Sequence, residues 1–298
     1  MSIAAILFPD FALIAGGWML RRWGGFSDPF WSQLERLIYF VLFPALLFNA
    51  LVRARIDVAA AGPLLATGVS FSVAGMLLGY AARFIFRLPP MVFASGFQCA
   101  FRFNSYVGFA VMNALFKEDG IAAAGVLLGV LIPLVNAASV WTLARHGNGS
   151  VVREIVRNPL IIATVAGIGF VVAGLRLPEV IGHTLNLVAQ ASLPLGLIAV
   201  GAGLRLERTG AHRLLIGYLA AVKLLAVPLV ALLIARQLGL HGPYLYAAVV
   251  VAALPPAPAS YILAVRMGGE GGLVATLIAL CLAAAAFTLP LWLALAAR

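Results

Sequence analysis

The sequence predicts an all-α integral membrane protein of ten transmembrane helices, arranged as two inverted five-helix repeats with the fourth and ninth helices broken. Three observations carry that prediction. The 298 residues are 63% hydrophobic and 10% charged, with a mean hydropathy of +1.07, whereas a soluble domain carries about 25% charged residues. The charges stand mostly in ones and twos between apolar runs, and a helix needs about 20 such residues to span a bilayer. Prolines and small polar residues recur in matching runs of the two halves.

The first run, 3–20, follows no basic segment and ends in Arg21 and Arg22, so it reads as a span that starts outside, not as a cleaved signal. Runs at 37–52 and 62–82 follow, the second closed by Arg83. The fourth, 91–116, encloses the polar stretch "FRFNSY", and the fifth covers 120–144. A short link, 145–158, joins the halves, which divide as 1–146 and 147–298. The second half has runs at 159–175, 182–204, 212–235, 244–265 and 272–296. No low-complexity tract or like-charge block interrupts the series.

The net charge of +10 would suit nucleic acid if it were clustered, but its dispersal at span ends excludes that partner and leaves the lipid bilayer. With the N-terminus outside, twelve of the twenty Lys and Arg residues fall in cytoplasmic connections and six on the outer side. The positive-inside rule then places both termini outside a cytoplasmic membrane. The remaining two, Arg102 and Lys223, sit within spans.

The repeat is legible in "VLFPALLFNAL" and "ASLPLGLIAVGAGL", which align Pro44 with Pro194. Ser105-Tyr106 follows Pro44 by 61 residues, and Ser260-Tyr261 follows Pro194 by 66. A unit of five crossings returns on the opposite side, so its second copy must be inverted, as in many secondary transporters. In the ninth span Pro255, Pro256 and Pro258 each lack an N–H and hold the preceding residue away from helical angles. That span is expected to break. Asn104, Ser105 and Gly108 occupy the matching depth of the fourth. Two broken spans present half-helix N-termini, whose free N–H groups suit an anion. The single prolines Pro44, Pro133, Pro194 and Pro228 read as kinks or packing contacts.

A charged residue in mid-span costs at least about 2.5–3.5 kcal/mol on insertion scales, so Arg102 either contacts substrate, pairs with a structural partner such as Asp10, or snorkels from an offset span. Lys223, on a more flexible stem, is expected to snorkel. Asp10, near the outer surface, is either a candidate coupling group or a carboxylate solvated at the interface, the reading its position favours, and Asn49, Gln98 and Asn136 either line a pathway or tie helices together. Cys99 and Cys281 lack the spacing for a disulfide framework or metal site. No catalytic motif is present, so the sequence supports neither an enzyme nor a cofactor.

The stretches "FRFNSYVGFA", "IPLVNAASVW", "RNPLIIATVAGI", "ASLPLGLIAVGAGL", "ALPPAPASYILAVRMGG" and "FTLPLW" together resemble the auxin efflux carrier family in its compact bacterial form. The resemblance extends over nearly the whole chain. It implies that the fourth and ninth helices cross at a central site near Asn104, Pro255 and Pro256, and that organic anions are transported: auxin by plant members, malonate or malate by some bacterial ones. The long hydrophilic loop of many plant members is absent, and "PPAP" is richer in proline than the usual motif.

The expectation is an alternating-access carrier, of rocking or elevator type, for a small mono- or dicarboxylate. Arg102, Asn104, Ser105, Gly108, Pro255, Pro256, Ser260 and Tyr261 form its substrate site, and Asp10, Asn49, Gln98, Asn136 and Lys223 are candidate pathway or coupling groups. The coupling ion is open between H+ and Na+. An anion sensor, an anion channel and an aromatic auxin-like substrate are the alternatives. Small-residue faces suit a homodimer as well as internal contacts.

Overall fold

The computed structural model describes residues 3–53, 58–143, 159–175, 177–204, 212–257 and 259–298, without the side chains of a few of them. The link at 145–158, Pro258 and the Asp10 side chain fall outside this description. The described elements are helices, with no strand among the described residues. Among the described residues, six stretches are long and apolar enough to cross a membrane: Asp28–Arg53, Ala59–Ile85, Pro90–Leu143, Glu179–Ala202, Arg213–Gln237 and Gly271–Ala296.

Helix α1 covers Ile3–Trp23. Helix α2 (Asp28–Leu37) continues through a π-helical turn, Ile38–Leu42, into α3 (Phe43–Arg53). This stretch starts well before the predicted residue 37. Asp28 lies in its first turn and a proline at its start, both favourable at a helix N-terminus, and buried Trp31 and Ile38 anchor its inner face. Helix α4 is Val58–Ile85. Helix α5 (Pro90–Phe97) runs into a 3₁₀ turn, Gln98–Ala100, and the chain is then non-helical until α6 begins. Helix α6 (Ser105–Leu143) folds sharply at Lys117, where φ is 51°. Beyond the fold Gly120 lies so close to the Met112 carbonyl that a Cβ would not fit, so residues 105–116 and 118–143 act as two helices, near the predicted boundary.

In the second half α7 covers Pro159–Val172 and α8 Glu179–Ala202. Helix α9 (Arg213–Ala221) passes through a second π turn, Val222–Ala226, into α10 (Val227–Gln237). Helix α11 (Gly242–Ala253) ends where Leu254 turns extended, and α12 (Ala259–Arg266) begins after the proline segment. Helix α13 is Gly271–Ala296.

Both π turns precede a proline. Pro44 and Pro228 follow them by two residues, and a proline inside a helix releases the carbonyl four residues back. At Pro228 that carbonyl belongs to Leu224, and it accepts a hydrogen bond from Trp292 Nε1 at 2.8 Å. A buried backbone group deprived of its helical donor has thereby found another.

The helices pack as two bundles. Helices α1, α3, α7 and α8 form one, and α4, α5, α9–α13 with α6 form the other. Each bundle therefore draws on both halves of the chain. Helices α1 and α8 touch backbone to backbone: a Cβ at Gly17 would collide with the Ile198 carbonyl oxygen, and one at Gly201 with that of Ile14. Close approach at small residues is the usual basis of helix association in lipid. Gly201→Ala is expected to destabilise the protein by about 1–3 kcal/mol, lowering the unfolding midpoint in detergent. Gly16→Ala, where the added methyl meets open space, should leave it unchanged.

Candidate functional site

The two interruptions meet. The Asn104 backbone N–H donates to the Pro255 carbonyl at 2.9 Å, and Gln98 Nε2 donates to the Ser260 carbonyl at 3.1 Å. The first bond pairs two backbone groups of the non-helical segments with each other, as non-helical backbone at membrane depth requires, and the second ties the two spans together. Asn104 is 1% exposed. Its Oδ1 accepts from the Tyr106 and Val107 amides at 3.1 and 3.5 Å, capping the first turn of α6. That oxygen is committed to the helix, and the Nδ2 donor is the part of the amide left for a solute.

Arg102 precedes this cap and is 7% exposed. Its guanidinium donates to Gln98 Oε1 and Asn136 Oδ1, both at 3.0 Å. These acceptors are neutral amides, which hold the fork in place. Arg102, Asn104, Ser105 and Asn136 line a hollow of about 250 Å³ between the two bundles. Its other walls include Glu35 and Tyr39 of the α2–α3 stretch, Val200 of α8 and Ala257 of the proline segment.

The other candidates do not line this hollow. Gly108 lies against Leu254, whose side chain would stand 2.8 Å from a Cβ there, so it lets the two spans approach each other. Pro255 contributes its carbonyl, and Pro256 is buried. Ser260 is buried with no partner for its hydroxyl among the described residues. Tyr261 packs against Gly271. Lys223 does not snorkel. It is 0% exposed, and its Nζ donates to the Ala252 carbonyl at 2.8 Å, because the π turn carries it toward α11 instead of along the lipid face.

Asn49 belongs to a second hollow of about 400 Å³, with Asn113, Glu118, Asn186 and Gln190 on its walls. Asn49 Nδ2 donates to Asn186 Oδ1 at 3.2 Å, and its Oδ1 accepts from Arg53 Nε. The first hollow uses the early part of the 28–53 stretch and the late part of α8, and the second uses the reverse. The two therefore open toward opposite ends of the helices. Between them Phe43 packs on Tyr106 and Phe109, with ring centroids 4.7 and 5.5 Å apart, and Tyr106 closes over Gly196.

Sequence reasoning missed Glu35, Tyr39 and the second hollow. Glu35 stands beside Arg36, and that charged pair masked a helix whose signal lay in the three- to four-residue spacing of Trp31, Leu34 and Ile38.

Comparisons with known proteins agree with this architecture. The family model described as "Membrane transport protein", that of the auxin efflux carriers, matches residues 2–146 and again 143–293. A protein of Escherichia coli K12 named "Uncharacterized transporter YfdV" is 25% identical over 96% of this chain and 95% of its own length. A Rhizobium meliloti protein named "Putative malonate transporter" is 24% identical over 90% of this chain and 87% of its own. An "Uncharacterized transporter" of Methanothermobacter thermautotrophicus is 25% identical over 94% of each. With both halves matched, and with interrupted helices meeting beside a buried arginine, the chain belongs to the auxin efflux carrier family of membrane transport proteins.

Proposed function

We propose that the protein is an alternating-access carrier for a small organic anion, a mono- or dicarboxylate such as malonate, in the cytoplasmic membrane. The reading takes the fold as ten spans in two inverted repeats, 1–146 and 147–298, with the fourth and ninth spans crossing at the Asn104–Pro255 bond. The observation that carries it is Arg102, a buried guanidinium held by neutral amides on the wall of a hollow at the junction of two interrupted helices. Charge-assisted, forked donors of this kind suit carboxylates. The hollow, about 250 Å³, falls just below the ~300–1,000 Å³ of drug-sized ligand pockets, which favours a solute of a few carbons. The name of the Rhizobium relative points to the same chemistry.

The bundle carrying Arg102 and Asn104 would move against the α1–α3–α7–α8 bundle, exposing the anion first to one hollow and then to the other. With both termini outside, the Arg102 hollow faces the cytoplasm.

Uptake of labelled malonate and other short dicarboxylates into proteoliposomes tests this directly. Arg102→Gln should lower kcat/KM about 10–100-fold, the size of a lost charge-assisted hydrogen bond of about 1.5–3 kcal/mol. Unaltered saturable uptake in that variant, with a normal unfolding midpoint, would exclude the site. Glu35 places a carboxylate on the same wall, where it repels an entering anion. Glu35→Gln should therefore lower the KM for malonate several-fold at low ionic strength, and added salt should shrink the difference.

A further inference from the structure

Lys223 lies outside both hollows, yet its Nζ is placed with care. The π turn at Val222–Ala226 sets it against the last turn of α11, where it bonds the Ala252 carbonyl. That helix stops at Ala253 because Leu254 is extended, with ψ at 145°, so its terminal carbonyls have no continuing helix to supply donors. The carboxyl end of a helix carries about half a negative charge. Where broken helices meet in a membrane, such ends commonly coordinate a mobile Na+ or H+. The first half of the other interrupted span ends differently, at Gln98–Ala100, where the Arg102 guanidinium bonds the Gln98 side chain and the Gln98 carbonyl is taken by the Arg102 backbone N–H. The carboxyl end of α11 is thus the one of the two that receives a side-chain ammonium on a backbone carbonyl.

We propose that Lys223 is a positioning residue, a tethered monovalent cation that occupies the carboxyl end of α11 and so holds the Pro255 carbonyl, three residues further on, against the Asn104 amide. For its effect on transport the proposal rests on the anion-carrier reading. Its binding arm does not. The ammonium takes the place that a free alkali cation would need to fill, and the anion site gains its positive surroundings from the chain itself.

Lys223→Ala should leave a void beside the Ala252 carbonyl that a small free ammonium can enter. The probe is methylammonium chloride at tens of millimolar, with choline chloride as control. In purified full-length protein, methylammonium should raise the unfolding midpoint of Lys223→Ala by several degrees and leave those of wild type and Lys223→Met unchanged. Malonate uptake by Lys223→Ala in choline should fall at least tenfold and recover at least threefold in methylammonium, while wild-type uptake stays within twofold when Na+ replaces choline. Lys223→Met fills the volume without the charge, so it tests the proposal even where the alanine variant does not fold; its uptake should fall at least tenfold without rescue. Wild-type uptake in Lys223→Met, absolute dependence of wild type on Na+, or a folded Lys223→Ala that methylammonium does not stabilise would overturn the proposal. Absence of any carboxylate uptake by wild type would instead reject the carrier reading, and the stabilisation by methylammonium would still decide the role of Lys223.

Discussion

A backbone amide inside hydrocarbon must find a partner, and in this protein two interrupted helices supply it to each other. The Asn104 N–H bonds the Pro255 carbonyl, and the Gln98 side chain bonds the Ser260 carbonyl. An unpartnered group at such depth costs several kcal/mol, so neither break is tolerable without the other. The remaining features follow from that junction. It requires close approach, which Gly108 permits against Leu254, and it leaves helix ends that polar side chains then occupy.

The same constraint governs the prolines. Three prolines within residues 255–258 are incompatible with a continuous helix, and α11 stops at Ala253. Isolated prolines act more gently. Pro228 follows a π turn, and the carbonyl it displaces is recovered by Trp292 across the bundle. The by-product of that turn is the inward course of Lys223. A backbone adjustment made for one residue thereby fixes the direction of another five positions away.

Much of this was legible in the sequence, because membrane helices obey a simple rule of length and hydropathy. The ends of α1, α8 and α13 fall within three residues of expectation, and "ALPPAPASY" marked the ninth-span break through steric exclusion. The fourth-span break was less visible, since nothing about Asn104 forbids a helix; it becomes a break because its side chain caps the turn that follows. Glu35 was hidden for the opposite reason, its charge having been taken for a loop. The second hollow could not be read from the sequence, because Asn49, Asn113 and Asn186 come from three distant helices and converge only through packing. Lys223 was misjudged because its rotation about the helix axis depends on one π turn.

The aromatic layer of Phe43, Tyr106 and Phe109 over Gly196 is only about one helical turn deep, about 5.4 Å, because Phe43 lines one hollow and Leu46 the other. An insulating layer that thin gathers the membrane voltage upon itself, as a narrow dielectric gap does in a capacitor. On the carrier reading, each elementary charge carried past these aromatic rings would exchange up to about 2.3 kcal/mol with every 100 mV of membrane potential, over a path shorter than two side chains laid end to end.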